Sequence, residues 1–249
     1  MASAFLALLL AAASAAAGSM LRVPGGAYAP FYPAPGEAPR AVAPFWLDEL
    51  PVTNAEFLEF ARTHERWRRS RAPRLFVDDA YLSDWSADLA LGDGVRAGAP
   101  VTFVSWFAAS AYCRSLGKRL PNEAEWELAA DPPAANASER AEAERKVLAF
   151  YARPRGALPL AGQTPPNAYG LRDLHGVQWE WIADWNASVA LPDNRQDRDA
   201  ENELFCGGAA AAASDPARYA TFMRFAFRGS LEATYALHHL GFRCARSEP

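Results

Sequence analysis

Apolar residues recur at helical spacing near the start of the chain, in the segment PVTNAEFLEFARTH. Phe57, Phe60 and Ala61 fall on one face of a helix, and Thr53 with Glu56 forms a capping-box pair at its beginning. Such a pair satisfies backbone N–H groups that the first helical turn leaves without a partner. The pattern predicts an amphipathic helix that begins after Thr53.

Two further helices are predicted in the segment VSWFAASAYCRSLGKRLPNEAEWELAA. Ser105 can cap the first helix, Cys113 lies on its inward face, and Gly117 marks its end. Asn122 can cap the second helix, because Glu125 follows at the third helical position.

The remainder of the chain gives shorter patterns. Residues 131–165 are rich in alanine, proline and charge, and a helix is plausible from about Ser138 to Tyr151. From Asn167 onward, short segments alternate with glycine, aspartate and asparagine. This pattern indicates a loop-rich fold with small strands rather than a helical or doubly wound one.

Composition and charge narrow the class of protein. The chain has 249 residues, of which 51% are hydrophobic, so it can build one substantial core. Its net charge is −4, with 25 basic and 29 acidic residues. No basic surface for a phosphate backbone is indicated, and we expect no nucleic-acid partner.

The first residues have the layout of a cleavable export signal. An apolar run from Phe5 to Ala13 is followed by small residues that end at Ala17. The run is too short for a membrane-spanning helix of about 20 residues, and no later segment is long enough. We predict a signal peptide over residues 1–17, a domain over 18–249, and a periplasmic or secreted protein with no membrane span after cleavage.

The chain has three cysteines, Cys113, Cys206 and Cys244. In an oxidising compartment one disulfide would leave one thiol over. The residues alone leave the pairing open.

Four motifs occur in a fixed order: FWLDELPVTNAEFLEF, PVTFVSWFAASAYCRSLGKRLPNEAEWELAA, NAYGLRDLHGVQWEWIADW and AFRGSLEATYALHHLGFRCA. Together they resemble the formylglycine-generating-enzyme, or sulfatase-modifying-factor, family from about Met20 to Ala245. The resemblance implies an α+β, complex C-type-lectin-like fold in a single domain with little regular secondary structure. It also implies a disulfide between Cys113 and Cys244, which leaves Cys206 as the free thiol.

The same resemblance places a catalytic segment. Catalytic members hold copper(I) with two cysteines spaced five apart, between a Gly-Gly pair and an arginine-bearing strand, which is Met223–Arg228 here. Copper(I) requires soft thiolate ligands, yet the aligned positions fall near Asp215 and Ala220. No cysteine occurs between Ala209 and Arg224, so we do not expect formylglycine-generating activity.

A second departure concerns calcium. The family's GNVWEW motif becomes GVQWEW, and Val177 offers no side-chain oxygen to a hard cation. A structural calcium ion could still be bound by backbone carbonyls and Asp184.

The carboxylates of Glu125 and Glu180 lie among aromatic residues and must be paired, because burying a bare charge is costly. Arg119, Arg228 and Arg243 are the expected partners in a structural network.

Three functional hypotheses remain. The export signal, the HGVQWEW motif and the CGG…DPARYATFMRFAFRGSLEA ending resemble accessory proteins of copper-containing nitrite reductase. This first hypothesis predicts a protein client, a periplasmic metalloenzyme. It also predicts a groove that binds a ligand through five residues: Cys206, Asp215, Tyr219, Arg224 and Arg228.

The second hypothesis is a non-haem iron oxidase, since such sites use histidine and carboxylate ligands. Its candidate ligands are His175, Glu180 and Asp184, together with the tandem His238 and His239. Such a tandem pair is more often a loop feature than a ligand pair, because adjacent side chains on a strand point to opposite faces. The third hypothesis is a peptide- or glycan-binding module anchored by exposed aromatics: Tyr219, Phe222 and Tyr235. Copper or iron is therefore open as a cofactor, and so is the oligomeric state.

Overall fold

The computed structural model describes residues 18–31, 36, 38–130, 145, 147–149, 156–186 and 216–248. The predicted signal peptide, Cys206 and Asp215 lie outside these residues. Most of the helix predicted from Ser138 to Tyr151 also lies outside them, although Arg145 and residues 147–149 are helical.

The three helices with clear capping patterns are confirmed. Thr53 accepts a hydrogen bond from the Glu56 N–H at 3.3 Å, and the Glu56 carboxylate accepts one from the Thr53 N–H at 2.8 Å. Asn122 likewise accepts from the Glu125 N–H at 2.8 Å. The α-helices whose full bounds lie within the described residues are α1 (Asn54–Thr63), α2 (Trp106–Ser115), α3 (Glu123–Ala130) and α4 (Pro216–Gly229), and a short 3-10 helix spans Glu65–Trp67. In the described ranges, no helix is long and apolar enough to cross a membrane.

Helix α4 corrects one prediction. Met223–Arg228, expected as a strand, is part of this 14-residue helix. Helical geometry places Arg224 and Arg228 one turn apart on the same face, where both meet one buried carboxylate of α3. This pairing between distant parts of the chain favours a helix, and it outweighs the alternation of apolar residues and arginines, which favours a strand.

The strands are short, as the sequence indicates. A three-stranded antiparallel sheet has the order β1–β4–β9, with Leu47 of the central strand opposite Leu21 and Ala245. Three two-stranded pairs complete the described strands: β2 with β3, β5 with β6, and the parallel pair β7 with β8. The bounds are β1 Met20–Val23, β2 Gly26–Tyr28, β3 Arg40–Val42, β4 Phe45–Asp48, β5 Trp85–Ala87, β6 Ala90–Leu91, β7 Trp179–Glu180, β8 Leu240–Gly241 and β9 Ala245–Ser247.

Two hydrophobic clusters form the core. The first packs α1 against α2 and β8, with ring centroids of Phe57 and Tyr112 5.9 Å apart and those of Tyr112 and Phe242 5.3 Å apart. The second lies between the three-stranded sheet and α3, around Phe45 and Trp126. The fold is therefore a mixed helix and sheet domain with modest regular structure.

A disulfide joins Cys113 of α2 to Cys244, 131 residues further along the chain. Both cysteines are fully buried. The bond ties the segment before β9 to the first core cluster, which is the pairing that the family resemblance implies.

Candidate functional site

Helices α3 and α4 are joined by buried charges. Arg224 donates from Nε to Glu127 Oε1 at 3.0 Å and from Nη2 to Oε2 at 2.7 Å. Arg228 donates from Nη1 to Glu127 Oε1 at 2.6 Å. All three residues are buried. The two arginines predicted to line a ligand groove therefore bind a carboxylate of the chain itself.

This ion cluster, defined as Glu123, Glu127, Arg224 and Arg228, is nearly balanced in charge. Burial by itself raises the pKa of Glu127, but the two guanidiniums and their hydrogen bonds outweigh it and lower the pKa to about 2. Glu123 lies 3.8 Å from Arg228, and burial raises its pKa. The Arg228 guanidinium also lies 4.9 Å from the centre of the Trp126 ring, within the range of a cation–π interaction.

A small enclosed cavity lies beside the ion cluster. Its volume is about 10 Å³, room for a single water molecule. It is too small for a peptide or an organic ligand. The cavity is lined by Trp126, Leu174, His175, Gln178, Trp179, Glu180, Arg224, Phe227 and Arg228.

Two residues of the cavity wall carry buried polar atoms without a hydrogen-bond partner among the described residues. These atoms are Nδ1 of His175 and both amide atoms of Gln178, a side chain that is only 2% exposed. His175 Nε2 lies 3.1 Å from the Ala130 carbonyl, so Nε2 carries the proton and Nδ1 is an acceptor. Burial lowers the pKa of His175 to about 3, and the Arg224 charge adds to this effect. His175 is therefore neutral at physiological pH.

The buried histidine predicts a pH dependence of stability. Its pKa is lower in the folded state than the ordinary value of 6.5, so the unfolded chain binds the extra proton as the pH falls below that value. We expect the free energy of unfolding, measured by urea titration, to fall by roughly 1–2 kcal/mol between pH 7 and pH 5 through this group.

The His175→Gln variant should lose most of that slope, whereas His64→Gln, an exposed control, should keep it. An unchanged slope in His175→Gln would show that His175 does not cause it.

Glu180 of β7 forms the most deeply buried ion pair in the described residues. Arg243 Nε lies 2.8 Å from Glu180 Oε2, and both side chains are 0% exposed. Trp126 Nε1 donates to the same oxygen at 2.8 Å. Arg243 Nη2 donates to Glu180 Oε1 and to the Arg172 carbonyl, each at 2.9 Å, and Nη1 donates to the carbonyls of Asp48 and Glu49. Glu180 is therefore paired with an arginine of the protein itself, as expected for a residue of a structural network.

Glu125 is paired in the same manner. Its two carboxylate oxygens each lie 2.6 Å from a guanidinium nitrogen of Arg119. The pairing fixes the start of α3 against the segment that precedes it.

The structure does not gather the predicted iron ligands into one donor set. Glu180 is engaged by Arg243, and Asp184 accepts a hydrogen bond from the Glu123 N–H at 2.7 Å. Among the residues that the structure describes, no group of three or more His, Cys, Asp or Glu side chains could hold a metal ion. Val177, which stands at the asparagine position of the calcium motif, is a buried apolar residue.

The tandem histidines lie in a loop, as the sequence favours. The rings of His238 and His239 contact each other, with centroids 4.0 Å apart, rather than pointing to opposite faces. The reason is that they lie in a turn before β8.

The aromatic anchors of the binding-module hypothesis are dispersed. Tyr219 of α4 is 38% exposed, whereas Phe222 is half-buried against Phe31, with ring centroids 6.2 Å apart. Tyr235 is half-buried and donates to Glu232 at 3.3 Å. Ala220, at one of the two aligned cysteine positions, lies on the buried face of α4.

The sequence interpretation missed two residues, Glu127 and Gln178. The spacing of four between Arg224 and Arg228, matched by Glu123 and Glu127, was the available signal for an interhelical ion cluster. Gln178 was visible as an amide within an otherwise apolar and aromatic run.

Known proteins provide an independent comparison. The mouse protein named inactive C-alpha-formylglycine-generating enzyme 2 is 31% identical over 277 residues, which cover 92% of this chain and 86% of the mouse protein. The formylglycine-generating enzyme of Thermomonospora curvata is 29% identical over 283 residues, which cover 91% and 92% of the two chains. The crystal structure of CarF shares the fold, with a TM-score of 0.53 at 15% identity, and the match covers 94% of this chain and 99% of CarF.

The family comparison covers nearly the whole chain, since residues 7–248 match the family described as Sulfatase-modifying factor enzyme 1-like domain. The protein therefore belongs to the sulfatase-modifying factor family, whose members include proteins named formylglycine-generating enzyme.

Proposed function

We propose that this protein is an exported, non-catalytic family member that assists the maturation or assembly of a periplasmic metalloenzyme, such as copper nitrite reductase. The disulfide is the observation that carries the non-catalytic part. It uses Cys113 and Cys244, so only Cys206 of the three cysteines remains as a possible thiol. A copper(I) site made of two cysteine thiolates from one chain cannot be built from a single thiol.

Further observations support the loss of this chemistry. Arg224 and Arg228 are neutralised by the acidic residues of α3, and the cavity beside them has room for one water. The mouse relative is itself named as inactive. We also infer the complex C-type-lectin-like form of the fold, which agrees with the short strands and long irregular connections.

The accessory role rests on the motifs rather than on a preformed pocket. The HGVQWEW segment and the segment after Cys206 resemble nitrite reductase accessory proteins, and the buried disulfide suits an oxidising compartment. A protein that handles a folded client needs a binding surface rather than an enclosed active site.

The non-catalytic proposal predicts no conversion of cysteine to formylglycine. The purified full-length protein, loaded with copper(I) under oxygen, should give no aldehyde on a cysteine-containing substrate peptide, detected by hydrazide labelling. The Thermomonospora curvata enzyme is the positive control for the same peptide. Turnover that depends on copper would contradict the proposal.

The client is tested by co-expression with a copper nitrite reductase in a bacterial periplasm. We expect the protein to co-purify with the reductase and to raise its copper content, measured by mass spectrometry of the metal, while the copper content of an unrelated periplasmic copper protein stays unchanged. Equal copper content without co-purification would reject this client. Stoichiometric iron that the purified protein loses on replacement of His175 would instead support the iron oxidase.

A further inference from the structure

An arginine-rich segment on the surface begins in the last turn of α1 and continues beyond it. We name residues 62–74, RTHERWRRSRAPR, the arginine loop. It contains one glutamate and six arginines in a chain whose net charge is −4. Five of the arginines are exposed and one, Arg68, is half-buried. The arginines are Arg62, Arg66, Arg68, Arg69, Arg71 and Arg74.

Hydrogen bonds hold the arginine loop in place. Arg68 donates to the carbonyls of Ala61 and Arg62, at 3.1 and 3.0 Å, and so satisfies the end of α1. Ser70 donates from its N–H and its hydroxyl to the Asp88 carboxylate, both at 2.7 Å. Because these hydrogen bonds already fix the backbone, binding a partner costs little conformational entropy of the arginine loop.

Three of the six arginines have an acidic neighbour. Arg62 lies 3.3 Å from Glu59, Arg68 lies 2.9 Å from Glu65, and Arg74 contacts Asp79.

The other three, Arg66, Arg69 and Arg71, form no salt bridge with any carboxylate in the described part of the chain. Arg69 donates to the Trp85 carbonyl, and the guanidinium of Arg66 lies 4.9 Å from the ring centre of Phe76. Their positive charges are therefore not neutralised by a direct ion pair within the protein.

The arginine loop also forms one wall of an open cleft. The cleft has a volume of about 660 Å³, which lies within the range of sites that bind peptides or small molecules. The cleft itself is not basic, because it is lined by three aspartates and two arginines, Arg69 and Arg74. Asp79 pairs with Arg74, whereas Asp88 accepts from Ser70, and Asp78 accepts from the N–H groups of Ala80 and Ala236, both at 3.0 Å.

An apolar side chain adjoins this charged surface. Leu75, which directly follows the arginine loop, is 76% exposed. Arginine is enriched at protein interfaces, so an exposed leucine next to exposed arginines gives a protein partner an apolar contact beside the charged ones.

We propose that the arginine loop forms a docking surface for an acidic segment of a protein partner, a segment that also carries an apolar residue. The carboxylates of such a segment pair with Arg66, Arg69 and Arg71, and its apolar residue packs on Leu75. Complementary charge speeds the encounter and selects acidic partners. The inference goes beyond the proposed function and holds for any client with such a segment.

The test uses the full-length protein and a fluorescein-labelled, glutamate-rich peptide that carries one leucine. Fluorescence anisotropy at low salt should show binding to this peptide and not to its glutamine counterpart, and added salt should weaken the binding. The Arg66→Glu/Arg71→Glu variant should bind roughly tenfold more weakly or worse.

The matched control, Arg114→Glu/Arg246→Glu, makes the same change in net charge at exposed arginines elsewhere and should bind as the wild type does. Thermal unfolding of each variant checks that the fold is retained. If the Arg66→Glu/Arg71→Glu variant does not fold, the milder Arg66→Gln/Arg71→Gln variant takes its place. Equal weakening in the control, equal binding of the glutamine peptide, or tighter binding of heparin than of the peptide would each overturn the proposal.

Discussion

The Glu180→Gln variant is expected to lose about 3–5 kcal/mol of the free energy of unfolding. The substitution removes the negative charge that neutralises Arg243, and both side chains are 0% exposed. The substitution therefore leaves the Arg243 charge buried without a counterion. Urea unfolding followed by tryptophan fluorescence measures the loss.

The control is Glu59→Gln, which removes an exposed ion pair with Arg62 and should change stability by less than about 1 kcal/mol. The double variant Glu180→Leu/Arg243→Met should be more stable than Glu180→Gln, because it removes both charges together. A Glu180→Gln protein as stable as the wild type would show that Glu180 is not the structural partner of Arg243.

The second large effect is expected for the disulfide. The Cys113→Ala/Cys244→Ala variant should lose about 4–5 kcal/mol of stability, because the bond closes a long loop and so restricts the unfolded chain. The sequence separation of 131 residues places this loop at the upper end of that effect. The measurement is urea unfolding with and without a reducing agent.

Reduced wild-type protein should match the double variant, and Cys206→Ser should respond to reduction as the wild type does. If the reducing agent destabilised the Cys113→Ala/Cys244→Ala variant as well, the effect would not arise from this disulfide. Unchanged stability of the reduced wild type would contradict the prediction directly.

Local signals were sufficient for much of the fold. The caps at Thr53, Ser105 and Asn122 involve residues only three positions apart, so the beginnings of α1, α2 and α3 can be predicted without tertiary information. The cysteine pairing was available only through the family resemblance, because the chain alone allows three pairings.

Helix α4 shows what local signals cannot supply. The alternation in Met223–Arg228 fits a strand, and the helix is favoured by Glu127, which is almost a hundred residues away in the chain. The small cavity is equally non-local, since its walls come from α3, α4 and the segment 174–180. Predicting either feature requires knowing which charges are buried together.

The arginine loop is visible in the sequence but not in the overall composition of the chain. The charge balance of the whole chain, −4, conceals a segment with six arginines in thirteen residues. Counting arginines in a short window along the sequence finds this cluster. Which of its arginines form no salt bridge can be seen only in the structure, where Arg62, Arg68 and Arg74 are paired.

The position of β9 has a consequence for the order in which the protein folds. This strand pairs with β4, and the neighbouring Cys244 N–H donates to Asp48 at 3.0 Å, so residues 244–247 complete a sheet begun some two hundred residues earlier. Contacts of such long range form late and slowly. Neither β4 nor α2 can reach its final packing before residues 244–247 have been synthesised. Until then, β4 lacks the strand that pairs with one of its two edges.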